Sequence, residues 1–400
     1  MKSFLRTKGT KIIDQDGRPV YLRGVNLGGW LMMEAYFMHA PNLAVHRFKN
    51  HFKKMLGAQA LADFEKSFLG SFVREEDIKN IKQLGFNCIR LPFNGRLVEK
   101  GQYSVDRAGV KYLDNAVRWA RKYKIFMILD LHAAPGAQNH DWHSDSDGRA
   151  LLWDSKECQR RTLDIWQYVA DRYKNEYYVA GYDLLNEAVL NDSGKLNKFY
   201  HQIIKTIRSV DKNHILFIEG NRWAQDLDCL DEFEDDNYVL SVHNYEPIEF
   251  TFNFVAHLRY PLKTGERAWN KQTTRDHLSR FHAISKKRDV PVFVGEFGVN
   301  TREGVYGEDK WLEDTLSVYK QFGFHWTYWT YKAVKNYLFP DGIYSYKENP
   351  PWVHREGPLT GWDTYHLHWP SSKKKMIESW DTKEFTVNQP ILKMLRKYAG

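Results

Sequence analysis

The 400-residue chain lacks the features that would assign it to a membrane or disulfide-rich class. It has only three cysteines, Cys88, Cys158 and Cys229, at wide spacing. Because Cys88 begins an apolar run and Cys158 falls in a helical one, we interpret the three as buried thiols, not as a disulfide framework or a metal cluster. No apolar run approaches the roughly 20 residues that a membrane span needs. We therefore expect no membrane as a partner.

The start of the chain also lacks a secretory signal. Residues 1–13, MKSFLRTKGTKII, are basic but contain no apolar h-region. Two interpretations follow: a cytoplasmic protein, or a secreted one whose signal peptide has been removed. The sequence leaves the compartment and the oligomeric state open.

Negative charge is in deficit, since the formal net charge is +8 and the pI is near 9.0. A basic protein can bind nucleic acid. Here the charge is spread over 400 residues, and the basic runs at 286–288 and 373–375 are short. No nucleic-acid-binding motif accompanies them, so we expect no nucleic-acid partner.

Aromatic residues, in contrast, are abundant, at 15% of the chain with 14 tryptophans. Sugar rings stack their C–H faces on aromatic planes, while their hydroxyls need polar partners. The excess therefore indicates carbohydrate binding, with a tryptophan-rich core as the equal alternative.

Eight apolar runs alternate with helical patterns along the chain. The runs lie at residues 21–27, 88–93, 125–132, 179–187, 215–220, 238–243, 290–297 and 325–331. The helical patterns lie at residues 77–84, 110–122, 156–173, 196–210, 276–287, 310–322 and 389–398. This alternation predicts an α/β fold, a (β/α)8 TIM barrel.

We predict a single (β/α)8 domain over residues 1–400, with insertions at about 30–75 and 336–381. The second insertion is rich in Trp, Pro and Gly and is predicted to be irregular. An open doubly wound sheet is the alternative fold. That fold favours a glycine fingerprint after the first strand, but Gly28 and Gly29 are followed by Trp30, which does not fit a dinucleotide loop.

Two of the apolar runs end in a glutamate. YDLLNEA at residues 182–188 carries Glu187, and VPVFVGEFGV at residues 290–299 carries Glu296. A charge at the tip of a buried strand is costly unless it belongs to a site. Paired carboxylates perform glycoside hydrolysis, one as acid/base and one as nucleophile.

Further polar and aromatic residues fall at the same ends of the runs, where a barrel of this kind carries its active site. They are Arg90, His132, Asn186, His243, Tyr245 and Trp329. Each alone could be a structural ion-pair partner, a core histidine or a packing residue. Their common position at one rim favours a single site.

In this order and on these strands, the eight residues resemble the set found in glycoside hydrolase family 5, the cellulase family. The stretches RGVNLGGWL at 23–31 and DLHAAPGAQN at 130–139 resemble its exo-β-1,3-glucanase branch. The resemblance implies a retaining β-glycosidase acting on an oligo- or polysaccharide, with no cofactor and no metal.

The resemblance also implies a role for each residue. Glu296 is the nucleophile, which Arg90 and Tyr245 keep ionised. Glu187 is the acid/base, and we expect partial burial and the charge of Glu296 to raise its pKa. The remaining roles concern the sugar: Asn186 binds the 2-hydroxyl, His132 and His243 orient the carboxylates and the sugar, and Trp329 forms the floor of the −1 subsite.

Other functions stay open at this point. Within the enzymes, an endo-β-1,4-glucanase or a mannanase is the alternative to an exo-acting glucanase. A non-catalytic carbohydrate-binding protein is the alternative from another class, and a nucleotide-dependent oxidoreductase is the weakest. The run of Asp141, His143, Asp145 and Asp147 favours a substrate-facing loop over a metal site. Candidate outer sugar subsites are Trp142, Trp153, Trp223, Trp269 and Trp362.

Overall fold

The computed structural model describes residues 3–38, 43–99, 107–264, 267–302, 304–335, 337–346, 348, 350, 352 and 364–400. The strands are, in chain order, β1 (Arg6–Lys8), β2 (Lys11–Ile13), β3 (Arg23–Asn26), β4 (Cys88–Asn94), β5 (Phe126–Ala133), β6 (Val179–Asp183), β7 (Ile215–Glu219), β8 (Tyr238–His243), β9 (Leu262–Thr264), β10 (Arg267–Trp269), β11 (Val292–Phe297), β12 (His325–Tyr328), β13 (Lys332–Val334), β14 (Tyr344–Tyr346) and β15 (Thr386–Val387).

The helical segments are α1 (Val45–Leu56), α2 (Ala58–Ser71), α3 (Glu75–Gln83), α4 (Arg107–Tyr123), α5 (Lys156–Tyr173), α6 (Ser193–Val210), α7 (Asn221–Ala224), α8 (Ile248–Thr251), α9 (Lys271–Arg288), α10 (Glu308–Phe322), α11 (Tyr365–Ser379) and α12 (Gln389–Ala399).

Eight parallel strands close into a barrel in the order β3-β4-β5-β6-β7-β8-β11-β12. The strands are continuously apolar because both of their faces are covered, one by the barrel interior and one by helices. Gly24 shows how closely they approach, since a Cβ there would lie 1.7 Å from the carbonyl oxygen of Cys88 on the next strand. The closed barrel confirms the predicted TIM fold and excludes the open sheet.

The β1–β2 hairpin covers the amino ends of the barrel strands. Its apolar side chains, Leu5 and Ile12, are buried with Cys88 and Ile215, the first residues of β4 and β7. The backbone N–H of Thr7 donates to Oδ1 of Asn237, 2.9 Å away, just before β8. With this end filled, the open end of the barrel is the carboxyl end of its strands.

Two strands are shorter than their apolar patterns predict. β6 ends at Asp183, so Leu184–Glu187 continue beyond it, and Glu187 has a left-handed φ of 48°. β12 ends at Tyr328, one residue before Trp329. The apolar character continues past the strands because the segments that follow are also buried.

The two insertions pack against one another beside the barrel. Helices α1 and α2 come from the first insertion and α11 from the second, and their contact is aromatic. The ring centroids of Phe64 and Trp369 are 5.2 Å apart, and those of Phe68 and Trp380 are also 5.2 Å apart. The prediction that residues 336–381 are irregular is therefore wrong for α11 and for β14.

Much of the aromatic excess lies in the core. Among the described residues, Trp30, Trp166, Trp311, Trp326 and Trp380 are fully buried. The composition thus reflects a tryptophan-rich core at least as much as a sugar-binding surface. Within the described ranges, no helix is long and apolar enough to cross a membrane.

Candidate active site

Glu187 and Glu296 reach the same space at the carboxyl end of the barrel. Glu296 lies on β11, and Glu187 lies on a turn that follows β6. The backbone N–H of Glu187 donates to Oε2 of Glu219, 2.6 Å away. One oxygen of each carboxylate and one ring nitrogen of His243 lie within 4.8 Å of one another. The two side chains come from elements more than a hundred residues apart, so the barrel itself creates the pair.

Arg90 is the cation beneath this pair. It is fully buried on β4 and lies 2.8 Å from Asp183, 3.0 Å from Glu219 and 3.2 Å from Asp130. Burial alone lowers the pKa of an arginine, but the surrounding carboxylates raise the pKa of Arg90 well above its ordinary value. The guanidinium is thus held charged and immobile, with each arm directed by a carboxylate.

Glu296 has two direct partners. Nη1 of Arg90 donates to Oε1 at 2.7 Å, and the hydroxyl of Tyr245 donates to Oε2 at 2.8 Å. The side chain is only 6% exposed. The two bonds hold the Glu296 carboxylate in one orientation beside a positive charge.

Glu187 lies between two imidazoles. Nδ1 of His243 is 2.6 Å from Oε1, and Nε2 of His143 is 3.0 Å from Oε2. Burial raises the pKa of Glu187, but the hydrogen bonds from His143 and His243 outweigh it and place the pKa well below its ordinary value. The expectation of a raised pKa was wrong because it took account of burial and of Glu296, but not of two imidazole donors.

His243 connects both carboxylates to the layer below. Its Nδ1 is also 3.7 Å from Oε2 of Glu296, and its Nε2 is 3.1 Å from Oε1 of Glu219. Burial lowers the pKa of His243, but Glu219, Glu296 and Glu187 together raise it well above the ordinary value. His243 thus lies within ion-pair distance of Glu187, Glu219 and Glu296, and Arg90 contacts two of these carboxylates, Glu219 and Glu296.

Asn186 has one free polar group. Its Oδ1 accepts from Arg90 at 2.8 Å, but its buried Nδ2 has no acceptor among the described residues. Gln138 fixes the backbone here, since its Nε2 donates to the carbonyl oxygen of Asn186 at 2.8 Å. A buried amide left unpaired is costly, so Nδ2 is a candidate donor to a ligand hydroxyl.

Trp329 and His132 form one wall of the space. Their rings are stacked, with centroids 5.5 Å apart and an angle of 7° between the ring planes. Nδ1 of His132 lies 2.7 Å from Asp130, and burial lowers its pKa to about 3, so this imidazole is neutral. The indole N–H of Trp329 donates to the hydroxyl of Tyr36.

The two glycines of RGVNLGGWL, Gly28 and Gly29, lie against the rings of Trp329 and Phe37. A Cβ on Gly28 would lie 3.0 Å from the ring of Trp329, and one on Gly29 would lie 2.7 Å from the ring of Phe37. The glycines therefore allow Phe37 of the first insertion to approach Trp329, which follows β12, closely.

Glu34 adds a third carboxyl group to the site, beside His132, in addition to Glu187 and Glu296. The sequence analysis did not identify it. Its side chain is buried 3.6 Å from Nε2 of His132, and its Oε1 has no hydrogen-bond partner among the described residues. Burial and the charges of Glu296, Glu187 and Asp130 raise its pKa well above the ordinary value. A protonated Glu34 can both donate to and accept from a sugar hydroxyl.

The candidate outer subsites occupy different environments. Trp223 is 40% exposed at the mouth, and its N–H donates to Asp141 at 2.8 Å. Trp142 is half-buried, with its ring 6.0 Å from that of Tyr36. Trp269 is half-buried against α9, where it donates to Thr274. Trp362 lies outside the described residues.

Trp153 does not face an open surface. It is 7% exposed, donates to the carbonyl oxygen of Gln138 at 2.8 Å and packs on Phe199. Its prediction as a subsite residue is therefore wrong, and its role is packing.

The four residues of the acidic run at 141–147 do not share one partner. Asp145 bonds to His46, Asn94 and Arg96, and Asp147 contacts His46 and Arg47. Asp141 accepts from Trp223, and His143 faces Glu187. The loop thus joins the first insertion to the site.

The sequence analysis missed Glu219, and it placed His143 in a substrate-facing loop without linking it to Glu187. Glu219 ends the apolar run at 215–220 in the same way as Glu187 and Glu296 end theirs, so the signal was present. His143 was assigned to a loop without a partner, and only the fold brings it to Glu187.

A (β/α)8 barrel with paired carboxylates, a buried arginine and an aromatic wall at its carboxyl end defines the class of carbohydrate-cleaving enzymes. A family model described as cellulase, glycosyl hydrolase family 5, matches residues 51–335. The chain belongs to glycoside hydrolase family 5, and it is a glycosidase.

Curated relatives carry several activities in their names. A β-xylosidase of Phanerodontia chrysosporium is 32% identical, covering 83% of this chain and 71% of its own. Endoglucanase C of Acetivibrio thermocellus is 28% identical, and the match covers 78% of this chain and 91% of the endoglucanase. Glucan 1,3-beta-glucosidase 2 of Wickerhamomyces anomalus is 30% identical, and the match covers 62% of this chain and 64% of the glucosidase.

Among solved structures, endoglucanase Cel5A of Thermotoga maritima has a TM-score of 0.63 and 20% identity, with 94% of this chain and 96% of that chain covered. This likeness shows the shared barrel fold.

Proposed function

We propose that the protein hydrolyses β-glucosides or β-glucans by double displacement, with Glu296 as nucleophile and Glu187 as acid/base, and that it removes sugar from the non-reducing end. The observation that carries the proposal is the pair itself. Oxygen atoms of the two carboxylates lie within 4.8 Å of each other, in keeping with the about 5–5.5 Å between carboxyl groups that retention requires.

In the first step, Glu296 attacks the anomeric carbon and the glycosidic bond breaks. The electron pair of that bond goes to the leaving oxygen, which takes a proton from Glu187. Arg90 and Tyr245 hold Glu296 in one orientation, so the attacking oxygen is preorganised.

In the second step, Glu187 removes a proton from water, and the water oxygen displaces Glu296 from the anomeric carbon. Nδ2 of Asn186 is free to donate to the 2-hydroxyl, a contact that strengthens as positive charge develops on the sugar ring. Glu296 leaves as the anion, which the guanidinium of Arg90 stabilises.

The wall around Trp329 supports exo action. Tyr36 and Phe37 from the first insertion, together with Phe339, pack against one another beside Trp329. Glu34 places a buried carboxyl group on the same side. A cleft closed on one side in this way admits the end of a sugar chain. Relatives named β-xylosidase and glucan 1,3-beta-glucosidase favour the same interpretation, while relatives named endoglucanase support an endo-acting alternative.

The test is to incubate the protein with laminarin, cello-oligosaccharides, mannan and aryl β-glucoside or β-xyloside, and to follow the products by proton NMR. We expect β-anomeric monosaccharide as the first product. Initial release of the α-anomer would contradict double displacement, and initial release of mixed oligosaccharides would contradict exo action.

A further inference from the structure

His143 is placed to exchange a proton with Glu187. Its side chain is 15% exposed at the cleft, and its Nε2 lies 3.0 Å from Oε2, the oxygen of Glu187 that His243 does not contact. Glu187 thus has one imidazole on each oxygen. His243 lies 3.1 Å from Glu219 and is buried, whereas His143 lies on the long loop between β5 and α5, on the solvent side of Glu187.

Asn139 provides the second half of the geometry. Its amide orientation is fixed, because Oδ1 accepts from the N–H of Asp141 and Nδ2 donates to the carbonyl oxygen of Glu187, both at 2.9 Å. Nδ2 also lies 3.1 Å from Nε2 of His143. An amide nitrogen can only donate, so this contact is a hydrogen bond when Nε2 carries no proton.

Nε2 of His143 therefore has a partner in either state. With a proton, it donates to the carboxylate of Glu187; without one, it accepts from Asn139 and from a protonated Glu187. A position where both states are hydrogen-bonded allows the proton to move at low cost.

The charges around His143 favour keeping the proton in the free enzyme. Burial lowers its pKa, but the hydrogen bond and charge of Glu187, then the charges of Asp141 and Glu296, raise the pKa above its ordinary value. The ring of His132, 6.3 Å away, opposes this only weakly because that imidazole is neutral, and the ring of Trp142 at 5.7 Å carries no charge. Of the other cationic groups, His243 lies on the opposite oxygen of Glu187, and Arg90 lies against Glu219 and Glu296.

We propose that His143 is a positioning residue that stores the proton which Glu187 delivers to the leaving group. As the glycosidic bond breaks, the proton on Nε2 passes to Oε2 of Glu187, and Glu187 gives a proton to the leaving oxygen. In the second step, the proton that Glu187 takes from water returns to Nε2 of His143. This inference rests on the proposed roles of Glu187 and Glu296.

The experiment compares His143→Gln with the wild type in the pH dependence of kcat/KM for p-nitrophenyl β-glucoside. In the wild type, the fall in kcat/KM at alkaline pH (the alkaline limb) reports the loss of the proton from Nε2 of His143. In the variant the proton must stay on Glu187, which His243 still holds at a low pKa, so we expect the limb to move to lower pH by about one unit or more. His201→Gln, on an exposed histidine of α6 paired with Asp231, is the matched control.

A second readout is the leaving group. At pH 7 we expect His143→Gln to lower kcat/KM about 10- to 100-fold for a β-linked disaccharide, but less than about threefold for 2,4-dinitrophenyl β-glucoside, whose leaving group needs no proton. An alkaline limb that stays in place or moves to higher pH overturns the inference, and so does an equal loss on both substrates. A wild type inactive on every aryl glycoside would instead contradict the proposed function.

Discussion

At the residue scale, the two glutamates differ in what donates to them. Glu296 receives a guanidinium and a phenol, groups that stay protonated over the working range of pH. Glu187 receives two imidazoles, groups that can release a proton near neutral pH. The same kind of side chain thus has partners that keep their protons in one place and partners that can exchange a proton in the other.

This difference predicts the effect of Glu296→Gln. The amide keeps the shape of the side chain but cannot attack the anomeric carbon, so we expect kcat for an activated aryl β-glucoside to fall by more than about 1,000-fold. Steady-state kinetics measures it. Glu313→Gln, on an exposed carboxylate paired with Lys397, is the control and should retain activity. Activity of Glu296→Gln within tenfold of the wild type would remove Glu296 from the nucleophile role.

At the scale of elements, the turn α7 after β7 stands out by its backbone. Arg222, Trp223 and Ala224 have consecutive φ values of 53°, 55° and 58°. Left-handed conformations cost side-chain-bearing residues roughly 1–2 kcal/mol each. Asn221 offsets part of this cost, because its side chain exchanges hydrogen bonds with the backbone of Leu190 at 2.8 and 3.1 Å. The result is an exposed indole held at the mouth of the site.

Two tryptophans of this region should therefore respond differently to alanine. Trp223→Ala should raise KM for β-glucan oligosaccharides about tenfold and leave an aryl glucoside nearly unaffected, because an exposed ring can act only through extended substrates. Trp153→Ala should lower the free energy of unfolding by about 3–5 kcal/mol through loss of buried volume.

Kinetics and thermal denaturation separate the two effects. Equal KM values for Trp223→Ala and the wild type on every oligosaccharide would contradict a subsite at this ring.

The limits of sequence reasoning appear at the same scale. All eight barrel strands could be predicted, because each is a short apolar run bounded by turn or helix signals. Helix α11 could not, because Pro370 lies inside it and its aromatic residues face a partner that only the fold supplies. A pattern of this kind does not differ from that of an irregular loop.

The candidate site divides in the same way. Glu296 lies near the end of β11, Glu187 lies just beyond β6, and Arg90 lies on β4 beneath them, so their positions along the barrel strands predict their meeting. Glu34 and His143 lie in long loops, and their approach depends on how those loops fold over the barrel. The low pKa of Glu187 follows from that approach, which explains why the predicted direction was wrong.

At the scale of the whole molecule, the barrel separates its functional end from an end that only stabilises it. Near the start of β7, the buried carboxylate of Asp211 accepts from Tyr182 at 2.7 Å and from His214 at 2.5 Å. These contacts join the end of α6 to β6 and β7. No candidate site residue takes part in them, so they offer a test of stability apart from activity.

Asp211 should make the barrel sensitive to acid. Burial raises its pKa, but the hydrogen bond and charge of His214, with further bonds from Asn213 and Tyr182, lower the pKa to about 2 from an ordinary value of 3.8. Because the folded-state pKa is the lower one, the stabilisation is complete above about pH 4 and is lost as the pH falls through 2. A shift of this size corresponds to about 2 kcal/mol.

Asp211→Asn should therefore lower the melting temperature by about 2–4 °C at pH 7, and the difference from the wild type should shrink as the pH falls from 4 to 2. Scanning calorimetry across this range measures both quantities. Asp164→Asn, on an exposed carboxylate of α5 paired with Arg160, should stay close to the wild type at every pH. If the difference for Asp211→Asn remained constant down to pH 2, its cause would be lost packing, and the ion pair with His214 would contribute nothing.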